Sequence, residues 1–155
     1  MCSVKKEEKY NYGFSVERHK NERYELMREF YRQAAEIDEM LDRMRGNKKI
    51  PINFDDLDKF DLNIMQNLNS KVTLKKTYST EKKIVFETLM LKGGEFGWHS
   101  HSDCSEIVEV ESGIMYDSIT DKDYQTGDTA IFLSGQAHTP IALENTYLIV
   151  TFLRD

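Results

Sequence analysis

One short stretch limits the folds open to this chain more than any other. Residues 93–113 read GGEFGWHSHSDCSEIVEVESG, placing His99 and His101 two residues apart and Glu106 five residues further on. On an extended strand alternate side chains share a face, so both imidazoles can point at one site, and a carboxylate on the following stretch can close on it. His138 lies about thirty residues later in another segment that reads as strand, so three of the 4 histidines fall in one constellation. Imidazoles with one carboxylate suit a divalent transition metal: Fe, Mn, Ni, Cu or Zn.

The residues around these four support that reading. If Glu106 faces inward, Val108 and Val110 do too, while Glu109 and Glu111 face water, the alternation of a strand with one buried side. The same walk from His138 sets Pro140 and Ala142 on the ligand side. From Lys71 onward, short runs of β-formers alternate with turns, with strands expected at 72–78, 83–90, 97–101, 106–110, 114–119, 128–132, 138–143 and 147–153. Ser112-Gly113, Asp121-Lys122 and Glu144-Asn145 are natural hairpin turns. The pattern predicts a mainly β protein, a jelly roll or small barrel.

The 93–113 segment resembles the first motif of the cupin superfamily. Gly93, five residues, His99-Ser100-His101, four residues, Glu106, six residues and Gly113 match it throughout. The second cupin motif is met in part: Gly127, Gly135 and His138 are in register, but Leu133 stands where proline is usual and Ala142 where asparagine is usual. The resemblance spans residues 70–155 and implies a cupin β-barrel with His99, His101, Glu106 and His138 as metal ligands. It leaves the chemistry open, because proteins of this fold include oxidative and non-oxidative enzymes as well as sensors and storage proteins.

The first 69 residues read differently, as an N-terminal helical extension of two helices. Residues 1–17 have no clear period and are expected to form an irregular tail, although Tyr10, Tyr12 and Phe14 alternate as a short strand would. Over 21–45 the period becomes helical, with Leu26, Phe30, Ala34, Ile37, Leu41 and Met44 in one stripe. Asn21 is the expected N-cap, Arg43 and Arg45 suit the C-terminal turn, and Gly46 is the stop. A second apolar line, Tyr24, Met27, Tyr31 and Ala35, makes the face wider than a coiled-coil seam, so the helix is expected to pack on its own sheet, with homodimerisation as the other use. After a linker at 47–51, Leu57, Phe60, Ile64 and Leu68 mark a second helix, whose start explains Asp55, Asp56 and Asp58 better than a calcium loop does.

Composition narrows the function. The net charge is −6, and residues 71–155 carry 8 Lys/Arg against 13 Asp/Glu, which argues against nucleic-acid binding. No apolar run is long enough to span a membrane, and the N-terminus lacks a signal-peptide core. Two cysteines make no disulfide framework, so a reducing, cytoplasmic setting is expected.

No inward lysine or arginine is evident in the barrel strands, which disfavours a strongly anionic substrate. Tyr116, Phe132 and Gln136 are candidates for contact with a small-molecule ligand, with core packing the first expectation for Tyr116 and Phe132; Trp98 should face away from the metal, and Cys104 reads as part of a connecting turn. The function expected is a metal-dependent enzyme acting on a small organic molecule, with dioxygenase-type oxidation ahead of isomerase or lyase chemistry. The alternative is a small-ligand sensor that uses its helices for dimerisation or output.

Overall fold

The computed structural model describes residues 6–46 and 51–155, with side chains from Glu22 onward. The expected linker at 47–51 lies outside the described residues except for Pro51, as do Cys2 and the side chain of His19. The described residues form two helices, α1 (Lys6–Arg45) and α2 (Phe54–Leu57). Nine strands follow: β1 (Gln66–Asn69), β2 (Val72–Ser79), β3 (Lys83–Met90), β4 (Cys104–Ser112), β5 (Ile114–Asp117), β6 (Lys122–Gln125), β7 (Thr129–Phe132), β8 (Pro140–Ala142) and β9 (Thr146–Arg154). They build a six-stranded antiparallel sheet in the order β1-β2-β3-β9-β4-β7 and a three-stranded one in the order β6-β5-β8.

The larger sheet buries one side of each long strand. In β4, Cys104, Glu106, Val108 and Val110 are buried while Glu109 and Glu111 are exposed, as the parity of the sequence predicts. Leu74, Phe86, Leu148, Val150 and Phe152 meet them from neighbouring strands in a single core. Burying side chains of this size stabilises the fold by about 1.5–3 kcal/mol each, before the ordering cost is counted. At the β4–β5 turn only glycine fits. Gly113 has φ 98°, and a Cβ there would lie 2.5 Å from both the Asn145 carbonyl and Thr146 Oγ1.

Five expectations are corrected. The tail is helix from Lys6, so Asn21 lies inside α1 and is not its cap. The alternating Tyr10, Tyr12 and Phe14 sit among charged helix formers, which propagate a helix already long enough to sustain itself. The second helix stops at Leu57. Asn53 caps its start by accepting from Asp56 N, but Asp58 is captured by Ser79 and Lys76 of β2. The chain then turns through Asp- and Asn-rich sequence, where the Asp61 side chain bonds Asn63 N, and pairs as β1 along β2. Strand 97–101 is reduced to isolated bridges, and Cys104 opens β4 fully buried, outside any turn. Beside it the sequence did not signal β6, a four-residue strand with one buried position.

Segment 52–69 joins the barrel: Phe54 and Leu57 belong to its core, and Ile52 and Phe60 pack against it. Helix α1 lies against the smaller sheet. Arg28 Nη1 donates to Asp123 Oδ2 at 2.8 Å, Tyr24 Oη donates to Glu144 Oε2 at 2.5 Å, and Tyr31 and Ala35 border a crevice with Trp98 and Ile141. The helix thus packs on its own sheet, but through the second apolar line, and the stripe of Leu26, Phe30, Ile37 and Met44 remains exposed.

Candidate metal centre

His99, Ser100 and His101 form an extended link between two parts of the fold. His99 and His138 exchange backbone hydrogen bonds of 3.0 and 2.9 Å, Ser100 O accepts from Ile52 N, and His101 O accepts from Gly135 N. This short ladder gives the alternation expected of a strand, so both imidazoles turn inward. Glu106 comes from the first part of β4 and His138 from the loop before β8. One ligand atom from each of the four lies within 4.8 Å of every other. Donors about 2.1 Å from one ion are separated by about 3.0–4.2 Å, so a small contraction would bring this set onto a shared ion.

Hydrogen bonds fix which nitrogen faces the centre. His99 Nδ1 lies 2.9 Å from the Gly97 carbonyl, His101 Nδ1 3.1 Å from the Ile52 carbonyl and His138 Nδ1 3.1 Å from the Gln136 carbonyl. A carbonyl only accepts, so each Nδ1 carries the hydrogen and each neutral ring keeps its Nε2 lone pair free. His101 Nε2 and His138 Nε2 lie 2.9 and 3.0 Å from the same Glu106 Oε1. Two lone pairs directed at an anionic oxygen need positive charge among them, which a dication supplies together with satisfaction of all four donors. The residues present therefore fit a divalent metal.

Electrostatics agree. With no ion, protons on the His101 and His138 Nε2 atoms would supply that positive charge: their hydrogen bonds and charge outweigh the burial that acts to raise the Glu106 carboxyl and hold it at about 2. Burial, reinforced by His138, pushes His99 down to about 4, so at neutral pH it is an unprotonated donor. Burial also lowers His138, yet its bond to Glu106 prevails and raises it.

Two phenylalanines hold the arrangement from behind. Glu106 is in register with Phe132 of β7 on one side and Phe152 of β9 on the other. The Phe132 ring stacks on His138 at 4.3 Å and 13°, and the Phe152 ring meets His101 at 4.9 Å and 64°. Sequence reasoning did not single out Phe152, whose signal is only its place opposite Glu106 once the register is known. It also missed Asp117. This fully buried carboxylate accepts from Thr139 N at 2.6 Å, beside His138, and from Thr120 N and Oγ1.

His99, His101 and Glu106 line a cavity of about 210 Å³, and His138 is buried next to them. Leu57, Phe60 and Phe96 stand among its apolar walls, and besides His99, His101 and Glu106 its only ionisable lining side chain is Asp56. The three expected ligand contacts lie elsewhere. Tyr116 is on the opposite side of β5 from the cavity-lining Met115 and donates to Asp121 Oδ1 at 2.7 Å. Phe132 is behind His138, and exposed Gln136 acts through its carbonyl on His138 and its side-chain oxygen on Leu133 N. Trp98 faces α1, away from the centre, as expected.

No protein-family model and no curated protein matches the chain. Solved structures do. KdgF from Halomonas sp. is similar at 18% identity with a TM-score of 0.56, covering 60% of this chain and 87% of that one. An RmlC-like cupin from Shewanella frigidimarina gives 16% identity and a TM-score of 0.55 over 63% of this chain and 91% of its own. The Cnp3 cupin domain of Schizosaccharomyces pombe gives 13% and 0.52 over 64% and 72%. Shared strand topology at such low identity carries the fold alone. With the sheets, the intact first motif and these likenesses together, the chain has the jelly-roll β-barrel fold of the cupin superfamily.

Proposed function

We propose that the protein is a metal-dependent enzyme that transforms a small, uncharged organic molecule, with dioxygenase-type oxidation ahead of isomerisation or lyase cleavage. His99, His101, Glu106 and His138 hold the ion. The observation that carries this reading is the convergence of those four residues, three of which, His99, His101 and Glu106, line a small and largely apolar cavity. Once bound, the ion supplies Lewis acidity and, for iron or manganese, redox chemistry with dioxygen as co-substrate.

The chain's own residues would perform binding and exclusion. Phe60, Leu57 and Phe96 cover the substrate and keep water out, while the three histidines are held in orientation by the Gly97, Ile52 and Gln136 carbonyls. No lysine or arginine lines the cavity, so an anionic substrate would lose hydration without compensation. Isomerase and many lyase reactions need a protein acid or base near the substrate. Among the described residues of the cavity, Asp56 alone is available outside the donor set, and it is bonded by Lys59 Nζ at 3.2 Å. Oxidation with dioxygen makes no such demand, which is why it stands first.

The test is elemental analysis of the purified protein, followed by oxygen uptake by iron- and manganese-loaded samples with a panel of small phenols and thiols. Uptake that tracks metal content and is lost in His101→Ala supports the enzyme. Saturable ligand binding with no turnover under any metal would replace it with a sensor.

A further inference from the structure

Two opposite faces of α1 are apolar, and the barrel uses only one. Tyr24, Arg28, Tyr31, Ala35 and Asp38 lie along the barrel side. Leu26, Phe30, Gln33, Ile37, Met40 and Met44 recur at spacings of four, three, four, three and four, and at 3.6 residues per turn this line runs about 180° from the first. Its large side chains are open to solvent: Leu26 is 70% exposed, Phe30 67%, Ile37 53%, Met40 46% and Met44 75%. A three-four repeat is the seam of a two-stranded coiled coil, and these positions face away from everything the barrel covers.

We propose that this face of α1 pairs with the same face of a second copy of the chain, antiparallel, to make a homodimer with the barrels on its outer sides. Self-complementarity carries the assignment. Antiparallel pairing about a twofold axis sets Leu26 against Met44, Phe30 against Met40 and Gln33 against Ile37, each pair occurring twice. Gln33 enters the seam already satisfied, because its Nε2 donates to Glu29 Oε1 at 3.0 Å. On one flank Glu29, which already pairs with Arg32 of its own helix, comes beside Arg43 of the other copy, twice. Glu36 meets its own mate at the solvent-facing rim, a single like-charge contact between the two favourable ones. On the other flank, at the edge of this face, Met27 comes beside Leu41 of the other copy and Ala34 beside its own mate, Ala34 also bordering the crevice against the barrel. A parallel pairing would set Glu29 against Ala34 and leave Arg43 without an acidic neighbour, so the charges select the antiparallel form. The area is sufficient. With roughly 100 Å² of exposed apolar surface on each of five side chains, two copies would cover roughly 1,000 Å², the size at which a specific interface begins. Half that area on one molecule is already large for a face with no partner.

The test is the mass of the full chain by sedimentation equilibrium over a concentration series, with two sets of variants. Wild type should reach the dimer mass, and Phe30→Lys with Ile37→Lys should stay monomeric throughout while keeping its far-UV circular dichroism and its uptake of Mn²⁺. Arg43→Glu should weaken association by about tenfold or more, and Glu29→Arg with Arg43→Glu should restore it. A wild type that remains monomeric, or a double-lysine variant that still dimerises, would overturn the interface. Failure of the charge exchange to restore association would overturn the antiparallel register.

Discussion

The stack of Phe132 on His138 can be tested by removing the ring. Phe132 is 2% exposed, so Phe132→Ala should cost the 3–5 kcal/mol typical of a buried aromatic, lowering the melting temperature by about 2–4 °C per kcal/mol. Met90→Ala, at a fully buried site that does not border the donor set, should cost a similar 2–5 kcal/mol and serves as the control. The two should differ in metal affinity. Without the ring at 4.3 Å, the His138 imidazole loses the flat support on one face, keeping the Gln136 carbonyl and the edge contact with His99 at 4.2 Å, and can tilt out of line with Glu106. Loss of such a support costs about 10- to 100-fold in affinity, so Phe132→Ala should bind Mn²⁺ or Ni²⁺ that much more weakly, while Met90→Ala binds as wild type does. Phe132→Leu should recover much of the stability by refilling the volume but only part of the affinity, since leucine offers no flat face. Competition against a chromophoric chelator measures the affinities, and thermal unfolding without metal measures the stabilities. Equal affinities in Phe132→Ala and Met90→Ala would refute the idea that the register Phe132–Glu106–Phe152 positions the ligands.

Other consequences are checked more briefly. Gly113→Ala should destabilise the protein by at least about 2 kcal/mol, read by chemical denaturation, because a Cβ would overlap the Asn145 and Thr146 backbone at a left-handed φ. The Asp58 carboxyl is held below its ordinary value chiefly by the Ser79 hydroxyl, against slight burial, with Lys76 assisting. A depressed folded-state value means stability present above about pH 3.9 and lost as pH falls through the folded value, so the melting-temperature deficit of Asp58→Asn should be full at neutral pH and shrink on acidification. Arg28→Ala, which strips the Asp123 carboxylate of its ion pair, should speed hydrogen exchange in α1 while leaving metal affinity unchanged.

Much of the site was legible because its information is local. The spacing of His99, His101 and Glu106 fixes which side chains share a face, and the valine–glutamate alternation of β4 says which face is inside. Less legible were features that depend on partners distant in sequence. Residues 58–69 have a helical period, yet Asp58 bonds to residues of β2 and the following segment pairs with that strand, so tertiary hydrogen bonds overrode a weak local preference. Tyr116 could be read as core or as pocket residue, and alternation along β5 settles it as core by assigning the cavity side to Met115. In α1 both apolar lines were visible, but no periodicity could say which of them the barrel would take.

Sequence alone therefore determined the β framework and picked out the four residues that converge at the candidate centre, because a period of two and the motif spacing are written into the chain residue by residue. Only the tertiary structure decided that Phe132 and Phe152 brace His138 and His101, that three backbone carbonyls orient the imidazoles, and that one face of α1 is left to solvent. Register between strands and the docking of a helix depend on atoms far apart along the chain, and no local spacing encodes them.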